Sequence, residues 1–274
     1  MDRNQLIERV VAEVMARLSA PAPRPAPGAP GAAGATAASG SSTAGGAASG
    51  PAPSDLARYI DHTMLRPEAP TTAFDKLCQE AIAHHFFAVC VNSCRVAYCA
   101  RKLQGTGVKV ASVVGFPLGA MTSRAKAFET REALSDGASE IDMVINVGLL
   151  KSGDYHGVEE DIRAVRRATR GTTILKVILE TALLSQEEKV IACEIAKKAE
   201  ADFVKTCTGF GGGGATVEDI ALMRRTVGER MGVKASGGIR NYKGAVALIA
   251  AGATRIGAQA GVAIVTGAES GAAY

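Results

Sequence analysis

Three lysines stand among apolar residues in this chain. Lys176 lies in Ile-Leu-Lys-Val-Ile-Leu-Glu, Lys205 in Ala-Asp-Phe-Val-Lys-Thr-Cys-Thr-Gly, and Lys234 in Gly-Val-Lys-Ala-Ser-Gly-Gly. Each is 29 residues from the next, and flanking Val and Phe are unusual company for a surface ammonium. A snorkelling or salt-bridged lysine is the plain alternative. The chemistry open to such a set is attack by a neutral amine on a carbonyl, which forms a Schiff base. Free lysine titrates near pKa 10.4, so the amine needs a reason to lose its proton. Two ammonium groups about 6 Å apart, at an effective dielectric near 20, repel by roughly 3 kcal/mol. That is about two pKa units, and burial adds to it. Asp142, in Glu-Ile-Asp-Met-Val-Ile-Asn, supplies a carboxylate that can shuttle protons or hold a cation.

Metal chemistry fits this sequence poorly. His62, His84, His85 and His156 are scattered, with no second ligand at metal spacing near a strand end. No metal and no other cofactor is therefore expected. His62, beside Asp61, is open to either a site role or a structural hydrogen bond. The six cysteines form no C-x-x-C pair and read as free thiols of a reducing cytoplasm. Net charge is +4, Trp is absent, and no arginine-rich run is interleaved with aromatics, which argues against nucleic acid. No apolar stretch reaches the roughly 20 residues needed to span a bilayer.

Short β-branched runs must carry these side chains. Strands are predicted at Tyr59–Thr63, Ala88–Val91, Lys109–Gly115, Glu140–Asn146, Thr173–Glu180, Asp202–Thr206, Val233–Ser236 and Thr254–Gly257. Helical patterns fill the gaps, among them Thr72–His85, Ser123–Asp136, Asp154–Thr169, Gln186–Ala199 and Val217–Met231. Eight strand–helix units over residues 54–274 predict an α/β fold, a closed (β/α)8 TIM barrel. Polar residues at the C-terminal strand ends would then form the site. The run Gly211–Gly214 is expected to make a mobile loop over it.

Ahead of the barrel the composition breaks. Seven of the chain's ten prolines fall in residues 20–53, with no aliphatic side chain larger than alanine, so this stretch is expected to be a disordered linker. Residues 1–19 place Leu6, Ile7, Val10, Val11, Val14, Met15 and Leu18 on one helical face, with Asp2, Glu8 and Glu13 balancing Arg3, Arg9 and Arg17. That pattern fits neither a secretory signal nor a basic membrane-surface helix. It leaves docking in a protein groove, folding back on the domain, or bundling in an oligomer. A linker of this length has an r.m.s. reach of about 30 Å.

Over residues 54–274 the chain resembles the deoxyribose-phosphate aldolases, class I aldolases of the DeoC type. The likeness runs through Ile60-Asp61-His62-Thr63, Val89-Cys90-Val91-Asn92, Val113-Val114-Gly115-Phe116-Pro117, Glu140–Val144, Lys176–Thr181, Lys205–Phe210 and Lys234–Arg240. It implies that Lys205 forms the Schiff base and that Lys234 is the cation perturbing it. Asp142 would be the acid/base of a water-assisted relay that Lys176 joins. The implied reaction is reversible cleavage of 2-deoxyribose 5-phosphate to glyceraldehyde 3-phosphate and acetaldehyde. Thr208, Gly209, Gly237, Gly238, Gly257 and Gln259 are the substrate and phosphate candidates, and Asp61 and the terminal Tyr274 are accessory candidates. Two departures stand out: Cys207 replaces a serine in Thr-Ser-Thr-Gly, and Gln259 stands where a phosphate-loop serine is expected. The second leaves room for a different sugar phosphate. A catalytically decayed cargo or scaffold protein is the third reading, against which the intact Lys205, Lys234 and Asp142 argue. The head and linker resemble the encapsulation peptides of bacterial microcompartment cargo, which implies a shell-protein partner for residues 1–19 and a location in the lumen. A homo-oligomer, specifically a dimer, is expected.

Overall fold

The computed structural model describes residues 51–169 and 171–268, and Ala12 ahead of them. The amphipathic head, nearly all of the linker, and Tyr274 lie outside the described residues. Eight parallel strands follow one another around a closed barrel: β1 (Ile60–Met64), β2 (Ala88–Val91), β3 (Lys109–Val114), β4 (Glu140–Val144), β5 (Ile174–Ile178), β6 (Phe203–Lys205), β7 (Gly232–Ser236) and β8 (Arg255–Ala258). The expected (β/α)8 barrel is what these strands build. A short 3-10 helix, Pro53–Tyr59, leads in and buries Leu56.

Local chemistry sets the ends of these elements. The helices α1 (Thr71–Ala83), α2 (Val96–Leu103), α3 (Ser123–Ser135), α4 (Val147–Lys151), α5 (Tyr155–Ala168), α6 (Gln186–Lys198), α7 (Val217–Val227), α8 (Tyr242–Ala250) and α9 (Gly261–Thr266) alternate with the strands. Thr122, Asp154, Thr216 and Asn241 each cap a helix by accepting a backbone N–H three residues on. Ser185 and Glu188 form a full capping box at α6. Helix α7 stops four residues earlier than its apolar pattern suggests, because Gly228 at φ +75° turns the chain out. Strand β4 stops at Val144, since Asn146 caps α4 by accepting the Leu149 N–H at 3.1 Å. Strand β5 stops before Glu180, whose left-handed backbone (φ 58°, ψ 60°) cannot continue a strand.

Side-chain alternation then divides the core in two. Outward-facing Val89, Val91, Ile141, Met143, Leu175, Val177, Val204, Val233 and Ile256 pack under the helices in one continuous apolar layer. Inside the barrel only Leu65, Cys90, Ala111 and Val113, with Phe116 above them, form an apolar patch. Much of the remaining interior is ionic, where barrels of this type usually stack branched aliphatic layers.

Candidate active site

Parallel pairing brings the lysines together. Lys205 is in register with Lys234, and Asp142 with Lys176, so one inward row on each of four strands meets at the barrel axis. Asp142 is the hub. Its Oδ2 accepts from Lys205 Nζ at 2.9 Å and from Lys234 Nζ at 2.7 Å, while Oδ1 accepts from Lys176 Nζ at 2.6 Å. Asp61 on β1 accepts from Lys234 and, through Oδ1, from Arg255 Nη1 at 2.9 Å. Asp61, Asp142, Lys176 and Lys234 are wholly buried, whereas Lys205 keeps 3% exposure and lines the cavity at the barrel mouth.

The electrostatics follow from this packing. Burial pushes the Asp142 carboxyl up, but Lys176, Lys205 and Lys234 together hold it well below the usual carboxylate range. Burial acts the same way on Asp61, and Lys234, Arg255 and Lys176 outweigh it, bringing that carboxyl to about 2. Burial pulls Lys234 down, but Asp142 and Asp61 raise it above the ordinary lysine value. The picture of two bare ammonium groups is therefore incomplete: a carboxylate sits between Lys205 and Lys234 and anchors the proton on the deeper one. The charges around the hub do not balance. Four cations (Lys176, Lys205, Lys234, Arg255) face three carboxylates (Asp61, Glu140, Asp142), and Lys205 holds a single carboxylate at the open end.

The predicted phosphate candidates share the cavity that Lys205 lines. Thr208, Gly209, Gly237, Gly238, Gly257 and Gln259 all border it, together with Thr63, Leu65 and Ser236. A Cβ on Gly257 would stand 3.0 Å from Lys234 Cε and 3.1 Å from Ser236 Cβ, so any side chain there would press on both. Gln259 is half-buried and also borders an outer groove between α1 and α9. The loop after β6 is pinned from beneath. Glu180 accepts the Thr208 N–H and hydroxyl, Thr206 Oγ1 donates to Ser236 O at 2.8 Å, and Ser236 Oγ donates to Cys207 O at 2.6 Å. Two of the glycines that follow are closely packed: a Cβ on Gly211 would meet the Glu180 carboxylate at 2.8 Å, and one on Gly214 the Gly237 carbonyl oxygen at 2.8 Å, whereas Gly212 has open space around it.

Cys207 packs with its sulfur 3.4 Å from Thr181 Oγ1, away from the mouth. His62 points out of the barrel, with Nε2 bonded to Glu80 at 2.8 Å and its ring against Phe86, so its role is structural. Among the described residues no group of three or more His, Cys, Asp or Glu is arranged to hold a metal ion, and no helix is long and apolar enough to cross a membrane. Sequence reasoning missed Glu140, Glu180, Thr63, Ser236 and Arg255 as parts of the site. Alternation was a usable signal for two of them: Glu140 lies two residues before Asp142, and Arg255 two before Gly257, on the same inward face.

Comparison with known proteins agrees with this architecture. The family model described as DeoC/LacD family aldolase matches residues 56–271. Deoxyribose-phosphate aldolase 1 of Oceanobacillus iheyensis is 58% identical over 220 residues, 80% of this chain and all of that one. The deoxyribose-phosphate aldolase of Brevibacillus brevis is 59% identical over 216 residues, 79% of this chain and 97% of that one. The solved deoxyribose phosphate aldolase of Aeropyrum pernix, a tetramer, superposes with a TM-score of 0.74 at 32% identity, covering 78% of this chain and 91% of that one. With the family model spanning the whole barrel and these relatives matched nearly end to end, the chain belongs to the DeoC/LacD family of aldolases.

Proposed function

We propose that this protein is a Schiff-base aldolase that reversibly cleaves 2-deoxy-D-ribose 5-phosphate to D-glyceraldehyde 3-phosphate and acetaldehyde. The observation that carries the reading is Lys205 itself, which lines the mouth cavity and holds one carboxylate inside a network with one more cation than anions. Its neutral amine adds to the C1 carbonyl of the open-chain sugar, and the carbinolamine loses water to give an iminium. That cation takes the place of the Lys205 ammonium opposite Asp142, which keeps its negative charge. The C3 hydroxyl then gives up its proton, the C2–C3 bond breaks, and its electron pair moves into an enamine. Glyceraldehyde 3-phosphate leaves. Protonation of the enamine at C2 and hydrolysis of the resulting iminium release acetaldehyde and the free amine. Asp142, as acid/base through water, and protonated Lys234 serve the proton transfers, with Lys176 holding Asp142 from the other oxygen. Asp61 keeps Lys234 in place.

The left-handed glycines Gly209, Gly237 and Gly238 let backbone N–H groups converge on an anion, and Gln259 adds an amide donor, so this side of the cavity suits the phosphate. Gln259 is also the one feature that favours a second reading, a sugar phosphate of different size. Reductive trapping with acetaldehyde tests the chemistry: the wild type gains one adduct on Lys205, and a Lys205→Ala protein that gains the same adduct sinks the mechanism. Comparing turnover of deoxyribose 5-phosphate with other aldose phosphates decides the sugar.

The charge-balanced amphipathic pattern of residues 1–19 and the Ala/Pro/Gly-rich tether support a further role as microcompartment cargo, with residues 1–19 meeting a shell protein and residues 54–274 doing the chemistry. Fusing residues 1–53 to a fluorescent protein beside co-expressed shells tests it, and a diffuse signal counts against it. The expected assembly is a homodimer, read directly by light scattering.

A further inference from the structure

The lowest inward layer of the barrel holds a buried ion pair that the proposed reaction does not touch. Arg255 Nη1 donates to Glu140 Oε2 at 3.0 Å and to Asp61 Oδ1 at 2.9 Å. The guanidinium lies 3.6 Å from the centre of the Phe87 ring, with Phe203 on another side at 5.4 Å. Glu140 Oε2 also sits 2.6 Å from Lys176 Nζ. Each partner therefore touches a group that touches the hub: Arg255 acts through Asp61 on Lys234, and Glu140 acts through Lys176 on Asp142. Neither reaches the mouth cavity.

We propose that Arg255 and Glu140 are positioning residues of opposite sign, which together set the proton occupancy of Lys205 while holding Lys234 and Lys176 in place. The physical case is charge balance in a closed interior. Among the described residues, the ionisable groups of the buried network that Lys205 joins through Asp142 are Asp61 from β1, Cys90 from β2, Glu140 and Asp142 from β4, Lys176 from β5, Lys234 from β7 and Arg255 from β8, while the inward β3 residues Ala111 and Val113 carry none. Burial pushes the Cys90 thiol up, so it stays neutral. Glu140 and Arg255 cancel each other at a distance, so the pair leaves the balance at Lys205 unchanged only while both are present. Arginine suits the position because it stays protonated and its planar head stacks on aromatic rings.

The inference rests on the Schiff-base reading and has a separate test. Cyanoborohydride trapping of acetaldehyde on Lys205 is followed by mass spectrometry from pH 5 to 9 in the full chain. Arg255→Met should move the half-maximal pH upward by about one unit, because a cation that disfavours the Lys205 proton is gone. Glu140→Gln should move it downward by about the same amount. The double variant should return close to wild type, and Arg255→Lys should keep the wild-type profile even where its stability falls. Coincident profiles in all variants, or shifts of one sign in both single variants, overturn the proposal and leave the role of Lys205 standing. Absence of any wild-type adduct instead overturns the Schiff-base reading. Should Arg255→Met fail to fold, the downward shift expected of Glu140→Gln still decides the sign.

Discussion

Removing the Asp61 carboxylate should cost stability in a way that depends on pH with a defined sign. The side chain is fully buried, ion-paired to Lys234 and bonded to Arg255 at 2.9 Å, and its carboxyl is held at about 2 against an ordinary 3.8. At about 1.4 kcal/mol per pH unit, that difference favours the folded state by about 2–3 kcal/mol at neutral pH. Because the folded value is depressed, the contribution is complete above the unfolded pKa near 4 and disappears as pH falls through about 2. Asp61→Asn conserves volume and removes the charge. Urea unfolding should therefore show the variant about 2–3 kcal/mol less stable at pH 7 and at pH 5, with the gap shrinking by about half at pH 3. A gap that is the same at pH 3 and pH 7, or one below about 0.5 kcal/mol throughout, would refute the electrostatic account of the buried network.

Two other perturbations probe parts outside the lysine row. Lys126, wholly buried on α3, donates to Asp161 Oδ2 at 2.5 Å and to the Val144 carbonyl at 2.8 Å, while the buried Asp161 Oδ1 has no hydrogen-bond partner. Lys126→Met should cost about 3–5 kcal/mol in chemical unfolding, and Lys126→Met with Asp161→Leu should recover most of it. Gly214→Ala would drive a Cβ against the Gly237 carbonyl and displace the cavity wall. The KM for deoxyribose 5-phosphate should rise about tenfold, the equivalent of ~1.4 kcal/mol, while trapping of acetaldehyde on Lys205 stays within twofold.

The barrel was legible because its strands are short β-branched runs separated by helical periodicity, a pattern that survives small errors at the ends. Those errors share one cause: Asn146, Glu180 and Gly228 each end an element through a cap or a left-handed backbone that an apolar pattern does not register. In the site, Lys176, Lys205, Lys234 and Asp142 announced themselves by residue type among apolar neighbours. Their mutual electrostatics did not, because the effect of Lys234 on Lys205 depends on the carboxylate between them, and only the register of β4 against β5 and of β6 against β7 supplies that. Arg255 and Glu140 escaped notice because they open their strands, where a charged residue is ordinarily a solvated end. Glu180 escaped because its partners, the Thr208 hydroxyl and backbone N–H, come from the next strand–helix unit.

The split between an ionic interior and an apolar outer layer inverts the usual map of mutational tolerance. In a barrel filled with aliphatic layers, an inward residue can be exchanged for another of similar volume. Here the inward charged residues on β4 through β8 and on β1 form a fixed set, and an aliphatic replacement at any of them leaves a partner stranded. The outward rows, Ile141 and Met143 or Leu175 and Val177, carry the aliphatic packing instead. A randomised library of this fold should therefore keep its hydrophobic diversity beneath the helices and almost none of it around the axis.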